Sequence, residues 1–104
     1  MRKTIVFDNI EYGLLFGINP DGTTAIQLLD MEDGSYRGTA TIYIERSKLE
    51  PNEVCIKDYS ENTGVHDALV KAEVIAPFHR EIPLLFSTAK VCMLLYKKEV
   101  NVQG

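Results

Sequence analysis

The sequence predicts an α+β fold, a twisted antiparallel sheet with one helix packed on it. Three observations carry this. The first half alternates apolar and polar residues at period 2, broken by turn-forming pairs. One stretch after residue 60 switches to helical spacing. A strongly apolar run then closes the chain. With 104 residues, 45% hydrophobic and 25% charged, the chain is sized and composed for one core, so residues 1–104 are read as a single domain with 99–104 as a tail.

The elements follow in order. Lys3 to Phe7 is short and β-rich, and Asp8-Asn9 signals a turn. Between Ile10 and Ile18, Tyr12, Leu14, Phe16 and Ile18 recur at period 2 and define the buried face of a strand. Asn19-Pro20-Asp21-Gly22 is the clearest turn: Pro presets φ and Gly accepts the left-handed geometry that follows. Thr23 to Leu29 is the returning strand, and a second Asp-Gly pair marks the turn over Asp30–Ser35. Tyr36 to Glu45 is the next strand, with Ala40, Ile42 and Ile44 on one face. The N-terminal half is therefore a meander of three to four strands, one that could also curl into a partial barrel.

A polar connection ends near Pro51, and Val54-Cys55-Ile56 is a short strand. The helix is expected near residues 62–73, where Val65, Ala68, Leu69 and Ala72 fall at i, i+3, i+4 and i+7. Ser60 or Asn62 is suited to cap it, Glu61 suits its positive end, and Pro77 stops it. Its polar face is expected to show His66, Asp67, Lys71 and Glu73. Phe78–Glu81 reads as a polar link, Ile82–Phe86 as a short edge strand because of Pro83, Ser87–Ala89 as a connection, and Lys90–Lys98 as a central strand.

Charge and motifs exclude several functions. The net charge is −4, and from Thr4 through Tyr36 six acids meet no base, whereas the remainder holds nine acids and eleven bases. An acidic third repels phosphate, so direct nucleic-acid binding is not expected. No apolar run approaches a membrane span, and the apolar start ends after three residues, too soon for a secretory leader. The expected location is cytoplasmic. There is no GxGxxG, no Gly-Lys-Ser/Thr and no GxSxG. Two Cys and two scattered His make no metal set, so no metal and no cofactor are expected. Cys55 and Cys92 lie in apolar runs and read as buried, reduced thiols. His66 and Asp67 are successive helix residues pointing about 100° apart, read as exposed and unpaired.

What stays is recognition. Asp30, Glu32 and Asp33 are candidates for an acidic face that docks a basic protein. Asp58, Tyr59, Glu61 and Asn62 form the most polar loop between two ordered elements, where binding residues often sit. The expected function is a non-enzymatic protein-binding module. The alternative is a small hydrolase or ligand-binding domain with a pocket near Tyr59, His66 or His79. A homodimer through the edge strand Lys3–Phe7 is a further option.

Leu49 through Asn62, with Thr63-Gly64, Ala68 through Ala72 and Val74-Ile75, resembles a bacterial family of unknown function, small proteins carried on conjugative transposons, plasmids and prophages. The likeness is good over 49–75 and weaker over the N-terminal strands. After Ile75, Ala76-Pro77-Phe78-His79 departs from the polar, Gly-containing turn of that pattern. The family has no assigned activity. The resemblance implies an intracellular accessory protein of a mobile element, with an inhibitor of a host system as one form.

Overall fold

Asp8 and Asn9 adopt φ of 54° and 63°, the two left-handed residues that a two-residue hairpin needs and that Asp and Asn tolerate. They join β1 (Thr4–Phe7) to β2 (Ile10–Ile18) in a computed structural model that describes residues 3–44 and 49–96. β2 pairs antiparallel with β3 (Thr24–Asp30), from Tyr12↔Asp30 to Ile18↔Thr24. The Asn19–Gly22 turn forms as read: Gly22 takes φ 88°, and Asp21 Oδ1 accepts from the Thr23 amide at 3.0 Å. β4 (Tyr36–Thr39) completes a four-stranded meander in the order β1-β2-β3-β4.

The expected strand over Tyr36–Glu45 divides. A register shift opposite Leu28/Leu29 leaves Arg37 as an extra residue within β4; β4 ends at Thr39, and the chain crosses to β5 (Glu53–Ile56). The Ala40 amide still donates to Ile26 O at 2.8 Å, but the Ile42 amide donates to Cys55 O at 3.0 Å and Lys57 to Ala40 O at 2.8 Å. The Ile26 amide would lose its ladder partner at this corner, and the Thr41 hydroxyl accepts it at 3.1 Å instead. Ala40 thus enters the main core, whereas Ile42 and Ile44 pack on a smaller one. Glu45 lies outside the described residues.

The C-terminal strands form a second, three-stranded sheet in the order β5-β7-β6, with β6 over Arg80–Pro83 and β7 over Thr88–Met93. β7 is central and Pro83 is on an edge strand, as expected. Arg80 and Glu81 belong to β6 rather than to a link, and Thr88 and Ala89 to β7 rather than to a connection. The reach of the closing strand to Lys98 and the tail 99–104 lie outside the described residues. No helix among the described residues is long and apolar enough to cross a membrane.

Helix α1 spans Val65–Lys71 and follows a 3₁₀ turn at Ser60–Asn62. Val65 and Leu69 are fully buried between the sheets, with Ala68 and Ala72 beside them. The N-cap is Gly64 at φ 101°, and no side chain of the N-cap serves the helix. Neither Ser60 nor Asn62 caps it. Asp58, upstream of the turn, does: its Oδ1 accepts from the Gly64 amide at 2.9 Å and the His66 amide at 3.1 Å.

Candidate functional site

Val54 pairs with Cys92 and Cys55 with Val91, so the two cysteines face opposite sides of the second sheet. Both are free and buried. Burial raises the Cys55 pKa and pushes Cys92 up to about 12, leaving both as thiols at neutral pH.

The histidines are engaged in the fold. His66 is buried, 5% exposed, which corrects its placement on an exposed helix face. Its Nε2 accepts from the Phe78 amide at 3.1 Å, which assigns the ring proton to Nδ1. Nδ1 lies 2.9 Å from Asp67 Oδ1, so the neighbouring pair does meet. The inward imidazole turns at the rim of the core, and the outward carboxylate reaches back to it. The Phe78 ring stands edge-on to His66 at 5.4 Å and under Lys90 Nζ at 5.1 Å. Lys90 in turn pairs with Asp58 Oδ2 at 2.6 Å. This chain of contacts ties the loop before α1, the helix start, residues 76–79 and β7 together. The His66 lone pair is taken by the Phe78 amide, which ties the ring into the fold.

His79 lies at a second polar cluster that the sequence did not reveal. Glu53 is buried, 5% exposed, at the start of β5. Its Oε2 meets His79 Nε2, and its Oε1 accepts from Arg80 Nη2 at 2.8 Å and from the Glu50 amide at 2.8 Å. Burial alone would raise the Glu53 pKa, but hydrogen bonds from Arg80, the Glu50 amide and His79 overcome it and hold the carboxyl at about 2. The one available signal was an acid directly before an apolar strand triplet.

The candidate recognition residues fall into two groups. Asp30, Glu32 and Asp33 occupy the β3–β4 turn. Asp30 Oδ1 accepts from the Glu32 amide at 2.7 Å, its Oδ2 pairs with Arg37 at 3.0 Å, and Asp33 Oδ1 accepts from the Ser35 amide at 2.9 Å. Antiparallel strands turn at alternate ends, so the β1–β2 turn lies at this same end of the sheet. Asp8, Glu11, Asp30, Glu32 and Asp33 therefore gather there, and Asp21 sits at the other end.

In the second group Asp58 caps α1 and pairs with Lys90. Glu61 pairs with Lys57 at 2.6 Å, and the buried Asn62 donates to Thr39 O at 2.7 Å. Asn62 thereby places this loop beside β4, the strand that the acidic turn leads into. Tyr59 lines an open hollow of 510 Å³ with Ser60 and Leu84–Ser87. Among the described residues no histidine, cysteine or carboxylate lines that hollow.

Its far wall is the tip of the β6–β7 hairpin, closed by the Leu84 amide on Ser87 O at 2.8 Å. Leu85 and Phe86 stand there 86% and 94% exposed. The segment Ile82–Phe86 read as one strand, but pairing stops at Pro83; Leu84 packs on the smaller core, and Leu85 and Phe86 turn outward. The apolar run Leu84-Leu85-Phe86 between Pro83 and Ser87-Thr88 was the available signal.

Among the described residues no three His, Cys, Asp or Glu side chains gather as a metal site. No family model matches this chain, and no curated protein or solved structure matches it either.

Proposed function

We propose that this chain is a non-enzymatic protein-binding module whose anchor is the Leu85–Phe86 tip. The single observation that carries this is the exposure of those two side chains on a hairpin turn. Turns ordinarily use Gly, Asn, Asp or Ser, which lose nothing in water. Leaving Leu and Phe out forgoes about 1.5–3 kcal/mol each. A large apolar and aromatic pair on a short, hydrogen-bonded turn suits insertion into a partner's apolar cleft, where such anchors supply most of the binding energy. The acidic end of the first sheet adds steering toward a basic partner surface. In the setting that the resemblance implies, that partner belongs to the bacterial host.

The test compares partners captured by the natural chain with those captured by Leu85→Asp/Phe86→Asp. Both positions are exposed, so thermal unfolding should shift by no more than about 0.5 kcal/mol. Partner capture should fall by about tenfold or more. Equal capture by a folded variant overturns the reading.

Steering has its own check. Glu11→Lys with Glu32→Lys should slow association and flatten its salt dependence, because charges at the edge of an interface act mainly on the on-rate. An unchanged salt slope removes the acidic end from the interface.

A further inference from the structure

We propose that the groove between β1 and α1 binds an extended segment of another protein as an added β-strand, with an apolar side chain of the segment over Ala68 and Ala72 and an acidic one beside Lys71. This surface lies at the outer edge of the first sheet and is independent of the hairpin tip.

The Leu14 amide donates to Lys3 O at 2.8 Å, which places Lys3, Ile5 and Phe7 as the β1 residues whose backbone groups face β2. The N–H and C=O of Thr4 and Val6 therefore point away from the sheet. They make no hydrogen bond among the described residues. β1 is the edge of its sheet, and Val6 is 64% exposed. An open edge of alternating donors and acceptors is the template for strand addition.

The helix supplies the second wall. Thr4, Ile5, Val6, Ala68, Lys71 and Ala72 enclose a groove of 250 Å³. Ala68 and Ala72 are one helical turn apart and share a face, and their methyl groups leave a floor that larger residues would fill. A strand paired with β1 would project alternate side chains onto that floor, giving apolar selection at one position. Among the described residues Lys71 is the only charged group lining the groove, and it makes no ion pair or hydrogen bond with them. An acidic residue neutralises it. β1 itself, Thr4-Ile5-Val6-Phe7, brings no acid, so a second copy pairing edge to edge is the poorer match.

The test screens the full chain against a random-peptide phage library, then titrates synthesised winners into ¹⁵N-labelled protein. Enriched peptides should pair an aliphatic residue with an acidic one on the same face of an extended strand, and amide shifts should cluster at Thr4–Phe7 and Ala68–Ala72. Val6→Pro removes an outward N–H and spares the ladder to β2, so it should weaken binding by about tenfold. Lys71→Glu, an exposed change that does not threaten folding, should turn the selection from acidic to basic peptides. The proposal is overturned if no peptide is enriched, if shifts map to Leu84–Ser87, or if Lys71→Glu selects the same peptides. It is equally overturned if sedimentation shows a dimer that Val6→Pro abolishes, since the occupant is then a second copy.

Discussion

Asp58→Ala should destabilise the fold by about 3 kcal/mol, a larger loss than either anchor substitution. One carboxylate does three tasks. Oδ1 accepts from two amides at the start of α1, and Oδ2 holds Lys90 at 2.6 Å. Burial would raise the Asp58 pKa, but Lys90 and the His66 and Gly64 amides together lower it, so the group is a carboxylate in the folded chain. Losing a cap costs about 1–2 kcal/mol. The remainder comes from stranding Lys90 on the Phe78 ring without its counter-ion. Asp58→Asn keeps an acceptor for the amides and gives up the charge, so it should cost about half as much. Urea unfolding of the three proteins measures this. A loss below about 1 kcal/mol for Asp58→Ala would show that the 3₁₀ turn and helix start hold without it.

Glu53→Ala should cost about 2–3 kcal/mol, less than a sealed ion pair because Arg80 and His79 are part-exposed and rehydrate when the carboxylate is gone. The same group predicts an acid limb. Its pKa is about 2 in the folded chain against an ordinary 4.5, so the folded state binds the proton less readily. Its stabilisation is complete above pH 4.5 and drains away as the pH falls toward about 2. Asp58, also lowered, adds to the loss in the same direction. Glu53→Gln removes the titration at this site, so its unfolding midpoint should fall less steeply over that range. Parallel curves for the natural chain and Glu53→Gln would defeat the assignment.

Much of the fold was legible because it is local. Asp8-Asn9, Asn19–Gly22 and Asp30–Ser35 specify their own turns through backbone preference and short side-chain bonds, so the meander could be read strand by strand. The helix was legible from Val65, Ala68, Leu69 and Ala72, and the edge role of β6 from Pro83, which lacks a ladder donor. The acidic turn was visible as charge, and its convergence with Asp8 and Glu11 follows from the meander once the strands are paired.

The errors share one cause, contact between residues distant in sequence. Helix periodicity assigned His66 to solvent, but the Phe78 amide, twelve residues on, makes an inward imidazole favourable. Capping rules pointed to Ser60 and Asn62, but Asp58 reaches forward past a 3₁₀ turn, and Asn62 is spent on Thr39. Nothing local to Glu53 marks His79 and Arg80, 26 and 27 residues away, as its partners.

By itself, then, the sequence determined the meander, the helix, the central closing strand and two quiet thiols, because turn chemistry and hydrophobic period act over a few residues. The tertiary structure alone decided that the sheet splits at Ala40–Thr41, that one hairpin carries Leu85 and Phe86 into solvent, and that β1 has no outer partner among the described residues. Each of these depends on which backbone groups and apolar faces find partners across the chain, and no local pattern encodes that.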